Sequence, residues 1–211
     1  MNAMRPRVAT LADLDVLTET IQLAFADDPV WSRAFAHPDH RVHDPAVFWR
    51  LWLEGALRYP WVWMTEGGEA VSVWIPPGEE ELSPEQDAAF KRIAESSLGR
   101  RGAAYLDAVM ARFAEAHPHG DPHYYLSLLG THPAHRGFGL GISLLAENLA
   151  RIDAEGTAAY LESSNPANEQ RYERLGFAFH GRFTLPDDGP IVTTMWRPGR
   201  KGPEPSPLRP P

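Results

Sequence analysis

The chain has 211 residues, 43% apolar and 23% charged, with 17 glycines and 20 prolines, the composition of a folded protein and not of a disordered polymer. It contains no cysteine, which excludes disulfide frameworks, thiolate metal sites and cysteine nucleophiles. A net charge of -8 opposes contact with phosphate backbones, so nucleic acid is not an expected partner.

The opening residues hold no apolar signal core, and no run reaches the ~18 apolar residues that a membrane span needs. A cytoplasmic protein without membrane partners is therefore expected. Arg7-Val8-Ala9 reads as the end of a strand. Thr10, followed three residues later by Asp13, marks a helix start, and Leu14, Leu17, Ile21 and Phe25 recur at helical spacing until Asp28-Pro29. The aromatic stretch Trp31 to Tyr59, interrupted by Pro38 and Pro45, predicts short helices and loops. Trp61–Thr65 and Ala70–Ile75 are β-rich runs joined by Glu66-Gly67-Gly68-Glu69, the pattern of an antiparallel hairpin.

Ser83-Pro84-Glu85-Gln86 opens a helical stretch to about Glu115, with breaks expected at Gly99 and Gly102. His123 to Thr131 reads as a buried strand. Leu140, Leu144, Leu145, Leu149 and Ile152 describe an amphipathic helix ending before Gly156. A short strand at Ala158–Glu162, a short helix at Ala167–Leu175 and a hairpin of Phe177–Leu185 with Ile191–Trp196 complete the pattern. Parallel β–α–β wiring here and antiparallel hairpins elsewhere predict a mixed α/β sheet flanked by helices. Residues 1–197 are read as one domain, and the proline-rich residues 198–211 as a disordered tail.

Chemistry concentrates in His135-Arg136-Gly137-Phe138-Gly139-Leu140-Gly141, between a strand and a helix. Alternating glycines let a ligand approach the backbone, and the free amides of a helix start favour an anion. The segment has neither the Gly-Lys-Ser/Thr of a P-loop nor the GxGxxG spacing of a dinucleotide fold. A pyrophosphate loop and a plain tight turn both remain open on these residues alone. Two histidine groups, His37, His40 and His43 with Asp39 and Asp44, and His117, His119 and His123 with Asp121, lie in proline-broken segments and read as solvated loops, so no metal is expected.

Arg136-x-x-Gly139-x-Gly141 after a strand, then Ser164-Asn165 and Tyr172-Glu173-Arg174-Leu175-Gly176-Phe177, resembles the GNAT superfamily of acyl-CoA-dependent N-acetyltransferases. The start at Arg7 to Asp13 is similar too, so the resemblance spans most of residues 7–197. Within it the pattern around Leu161-Glu162-Ser163 and Tyr172 to Phe177, the tryptophan-bearing hairpin and Met195 look most like the puromycin N-acetyltransferase group. The resemblance implies acetyl-CoA as cosubstrate, with Leu129, Gly130 and Thr131 offering backbone groups to the pantetheine arm. Arg136, Gly137, Phe138, Gly139, Leu140 and Gly141 would hold the pyrophosphate, and Asn165 would lie near the thiol. The family's common Ala four residues before the tyrosine is Asn168 here.

Acetyl transfer needs a neutral amine, donors for an oxyanion and a proton for the departing thiolate. Tyr172 is the candidate acid, and a backbone N–H near Leu129 the oxyanion donor. Glu162 is the candidate base; the competing reading is a salt-bridged strand-end carboxylate without a chemical role. Tyr124, Tyr125 and Ser127 are weaker candidates for a relay. Trp31, Trp49 and Trp52 are candidates to wall an acceptor pocket, against ordinary helix burial. The expected acceptor is a primary amine on a small molecule, and the expected state a monomer or homodimer. Acetylation of a protein N-terminus or lysine, and a non-catalytic acyl-CoA-binding module, are the alternatives.

Overall fold

The computed structural model describes residues 6–36, 38–39 and 44–200. The elements follow in the order β1 (Arg7–Val8), α1 (Leu14–Ala24), α2 (Trp31–Ala34), α3 (Ala46–Ala56), β2 (Val62–Met64), β3 (Ala70–Ile75) and α4 (Pro84–Ala116). Then come β4 (His123–Thr131), α5 (Leu140–Ala154), β5 (Ala158–Ser163), α6 (Glu169–Glu173), β6 (Ala178–Thr184) and β7 (Ile191–Arg197). The seven strands form one sheet in the order β1-β2-β3-β4-β5-β7-β6. Among the described strands only β4 and β5 pair in parallel. The α/β expectation is met, and the sheet is mixed as the wiring implied.

Strand alternation assigns each face its own core. Val71, Val73 and Ile75 of β3 meet Leu17 and Ile21 of α1, Phe48, Trp49 and Leu53 of α3, and Leu98 and Leu106 of α4. Trp74 meets Leu144, Leu145 and Ile152 of α5 on the other face. Because a polar group buried there needs a partner, Asn148 of α5 accepts from Ser72 Oγ at 2.6 Å and from Trp74 Nε1 at 3.1 Å. Asp153 at the end of α5 is clamped to Arg197 of β7 at 2.5 and 2.7 Å.

The helix starts follow their caps. Asp13 Oδ2 accepts the Thr10 amide at 2.9 Å and Arg7 grips the same carboxylate, holding its pKa well below the usual range. Ser83 and Gln86 cap α4 reciprocally. That helix breaks at Gly99, as expected, but runs on through Gly102, which is buried against Leu98. The helix expected over 167–175 is a 3-10 turn at Pro166–Asn168 followed by the single turn of α6. Among the described residues no helix is long and apolar enough to cross a membrane. His37, His40, His43 and residues 201–211 of the expected tail lie outside the described residues.

Candidate active site

The site begins with a defect in the sheet. β4 pairs with the whole of β3, from Tyr125 opposite Ile75 to Thr131 opposite Ala70. Its pairing with β5 covers only His123 to Leu126 against Ala158 to Leu161. Beyond that point the two strands part, and the β5-facing edge of residues 128–131 keeps backbone groups that require partners. The parting coincides with a bulge. Val73 faces Leu128 and Trp74 faces Leu126, so Ser127 is the extra residue, and it bends β4 where the gap opens.

A cavity of about 580 Å³ fills the gap. The expected pantetheine residues Leu129, Gly130 and Thr131 line it, as do Arg136, Gly137, Gly139, Leu140 and Gly141. Phe138 does not; it is 77% exposed on the outer side of the turn. Gly139 caps α5 with φ 74, a left-handed conformation that glycine adopts without strain. The first turn of α5 then points unpaired amides at the cavity mouth. Arg136 is steadied there by donating to the Ala24 carbonyl at the end of α1, at 2.9 Å. Gly130 has a packing role that its place in the gap did not foretell: a Cβ there would meet Ala24 Cβ at 3.0 Å and Ile21 Cδ1 at 2.8 Å, so its absence seats α1 on β4.

Asn165 and Tyr172 line the same cavity. The Asn165 side-chain oxygen accepts from the Ala167 amide at 3.0 Å and so fixes the turn leading to α6. Asn168 is also on the wall, with its oxygen bound to Arg171 at 2.7 Å. Tyr172 is buried with its ring against Phe177. Burial, and to a lesser degree the negative charge of Asp28, pushes its hydroxyl up to about 12, with Arg171 opposing. Asp28 caps the start of α2 through Val30 and Trp31, while its other oxygen accepts from Ser164 at 2.6 Å, pinning the α1–α2 loop over the end of β5.

Glu162 sits on the opposite wall. Its side chain is 2% exposed, and it accepts hydrogen bonds from Tyr125 Oη at 2.6 Å and Tyr160 Oη at 3.0 Å. Burial pushes its carboxyl up to about 8; the two tyrosines pull against that shift and Glu81 adds to it. Burial likewise raises the Glu81 carboxyl, with Ser127 and Trp52 opposing. Among the described ion pairs Glu162 meets His117 Nδ1 at 4.0 Å and no arginine or lysine. Tyr124 points to the other face of the sheet and binds Glu155 at 2.8 Å, so it is not part of this cluster. Tyr125 and Ser127 do line the cavity.

Of the three tryptophans weighed between a pocket wall and helix burial, Trp31 lines the cavity, and Trp49 and Trp52 are buried between helices. Phe113 of α4 and Asp28 supply wall that the sequence did not single out. His117 and His123 are not solvated loop residues either: their rings meet at 5.1 Å, and His123 is buried at the start of β4. Among the described residues no group of three or more potential ligands is arranged for a metal ion.

Residues 68–177 match the model of the Acetyltransferase (GNAT) family. Solved structures align over nearly the whole chain. A Corynebacterium glutamicum protein described as histone acetyltransferase HPA2 and related acetyltransferase is 28% identical, covering 93% of this chain and 97% of its own, with a TM-score of 0.65. Arylalkylamine N-acetyltransferase 2 from Aedes aegypti is 14% identical over 93% and 99%, at TM-score 0.62. A polyamine N-acetyltransferase from Drosophila melanogaster is 20% identical over 92% and 99%, at 0.55. A parted parallel strand pair, an amide-lined turn opening a helix, and a match through both, over residues 68–177, make this chain a member of the GNAT family of acetyl-CoA-dependent acetyltransferases.

Proposed function

We propose that the protein moves an acetyl group from acetyl-CoA to the primary amine of a small molecule by direct attack, without a covalent enzyme intermediate. One observation carries this reading: the open edge of β4, the turn residues Gly137, Gly139, Leu140 and Gly141, and Glu162 and Tyr172 all line a single cavity. The residues fit the cosubstrate. Unpaired strand groups from Leu129 to Thr131 suit the amides of a pantetheine arm, and a helix start flanked by Arg136 suits a diphosphate. Bound there, acetyl-CoA supplies the activated thioester.

The remaining work falls to side chains. An alkylammonium with a pKa of about 10 must lose a proton before it can attack. Glu162, held near 8 by burial, is matched to accept it close to neutral pH. Tyr172 keeps its proton at any ordinary pH and holds it at Oη for the departing sulfur. Tyr125 and Tyr160 hold Glu162 in place.

Aromatic walls from Trp31, Phe113 and Phe25 support an acceptor with an apolar or aromatic body. The resemblance to the puromycin N-acetyltransferase group, carried by Leu161-Glu162-Ser163 and Tyr172 to Phe177, favours a xenobiotic or antibiotic-like amine. Residues 1–197 would act as one domain, as monomer or homodimer. The test is a thiol-release screen with acetyl-CoA against arylalkylamines, polyamines, aminonucleosides, aminoglycosides and peptides. Turnover of at least one small amine is expected; acetylation of peptides alone would overturn the small-molecule reading, and cofactor binding without thiol release would overturn catalysis.

A further inference from the structure

A base buried as deeply as Glu162 must pass its proton on before it can act again, and the structure sets beside it a residue that is not among those lining the cavity. The end of α4 places His117 Nδ1 at 4.0 Å from Glu162 Oε1. His117 Nε2 is 3.2 Å from His123 Nε2, and His123 Nδ1 is 2.8 Å from the carbonyl oxygen of Asp121.

These contacts fix where the ring protons are. A carbonyl only accepts, so His123 Nδ1 carries hydrogen and a neutral His123 has a bare Nε2. The contact between the two Nε2 atoms then requires hydrogen on His117 Nε2. A neutral His117 is thereby left with its lone pair at Nδ1, on the edge facing Glu162. The His117 side chain is 31% exposed where that of Glu162 is 2%. One ring spans the distance from the buried carboxyl to solvent.

The Tyr160 hydroxyl has two acceptors that suit the two states of the base: Glu162 Oε1 at 3.0 Å and the Ala116 carbonyl at 3.3 Å. When Glu162 is ionised, Tyr160 and Tyr125 donate to its two oxygens. When Oε1 is protonated, the Tyr160 hydroxyl turns to Ala116 and leaves the new O–H free to point at His117. The groups facing this pair are Tyr125, Tyr160 and Glu81 around Glu162, and His119, His123, Tyr125 and Tyr160 around His117.

We propose that His117 is the proton outlet of the active site, taking from Glu162 the proton surrendered by the amine and releasing it to solvent. This rests on the reading of Glu162 as the base. The amine N–H bond breaks, leaving its electron pair on nitrogen, and the proton forms a bond to Glu162 Oε1. That O–H bond breaks as Nδ1–H forms on His117, and the imidazolium loses a proton to water, restoring the neutral ring. The 4.0 Å separation is about 1 Å longer than a hydrogen bond, so the transfer requires a small approach of the half-buried His117 ring to Oε1. Burial and the neighbouring His123 and His119 hold His117 down to about 4. The transfer is uphill, slowing an attempt rate of ~10¹² per second by about 10⁴, still far above a turnover of ~10 per second. Release from so acidic an imidazolium is immediate. His117 touches no substrate; it is a positioning residue that acts through Glu162.

The test compares His117→Ala with the wild-type enzyme on the best amine of the screen. Expected are a fall in kcat of about tenfold or more at neutral pH, an unchanged KM for acetyl-CoA and partial rescue by millimolar imidazole. The same substitution should add no further loss in a Glu162→Gln background, because the relay then has nothing to carry. A wild-type kcat in His117→Ala, or a loss that imidazole leaves untouched, overturns the relay. Full activity in Glu162→Gln would instead remove the base itself, a separate failure. Nitrogen-15 NMR of labelled histidine adds a readout independent of turnover: a bare Nδ1 on His117 at neutral pH supports the proposal, and a protonated Nδ1 overturns it.

Discussion

Replacing Tyr172 by Phe removes one oxygen from a side chain whose ring packs against Phe177, so the fold should tolerate it. If Oη delivers the proton to the leaving sulfur, turnover should fall at least about tenfold while acetyl-CoA affinity, measured by calorimetry, stays put. An unchanged rate would withdraw the role. Glu162 offers a complementary measurement. With its carboxyl near 8, kcat/KM should climb through that pH, and Tyr172 at about 12 should impose no alkaline fall before ~pH 10. In Glu162→Gln the limb near 8 should vanish and leave only the ionisation of the amine near ~10. Both residues were singled out from the sequence, the tyrosine through its motif and the glutamate through its place on a short strand, and both line the cavity. Their surroundings were not legible there. Tyr125 and His117 reach Glu162 across 37 and 45 positions of chain, and nothing local in the sequence encodes that meeting. For Trp49 and Trp52 the sequence left pocket wall and helix burial both open, and burial holds: three residues apart on α3 they share one helix face, and that face is turned to the core.

Elements were read better than their assembly. Both hairpins, the capped starts of the first helix and α4, and the break at Gly99 follow from caps, glycines and period, which are local properties. The insertion of β7 between β5 and β6, the early end of β4–β5 pairing and the bulge at Ser127 depend on strands far apart in the chain. The turn into α5 is the element that joins the two levels, since its sequence left an anion cradle and a plain tight turn both open and the fold sets it on the cavity wall. Gly139→Val tests that cradle. Open space surrounds a Cβ there, so the cost is backbone strain at φ 74, roughly 1–2 kcal/mol. Relieving that strain would swing the neighbouring amides away. Acetyl-CoA should bind about tenfold or more weakly, while thermal unfolding without ligand shows only the modest strain; equal affinity in both proteins would remove the turn from the cofactor site.

For the molecule as a whole, the buried acid that serves chemistry also sets how stability depends on pH. Unfolded, Glu162 gives up its proton near 4.5; folded, it keeps it to about 8. Between those values the native state holds the extra proton, so the stability this group contributes is fully present below 4.5 and is lost as pH rises through 8. The raised Glu81 carboxyl acts in the same sense. His117 acts oppositely. Its native value near 4 lies below the unfolded 6.5, so its contribution is intact above 6.5 and drains away as pH falls through 4. The two opposing slopes cancel between about pH 4.5 and 6.5 and place greatest stability there, below the pH at which Glu162 is ready to accept protons. Maximum stability and maximum rate are thereby set apart by one carboxyl. Denaturant unfolding at pH 6 and pH 9 should show the wild-type protein losing on the order of 2.5–3 kcal/mol through Glu162 across that interval, at about 1.4 kcal/mol for each of the two pH units between 6 and its folded value near 8, with Glu81 acting in the same direction. Glu162→Gln cannot ionise and should keep most of that stability at pH 9 while losing catalysis. An equal alkaline loss in the two proteins would show that the carboxyl is hydrated in the native state, and with that its raised pKa and its fitness as a base near neutral pH would both go.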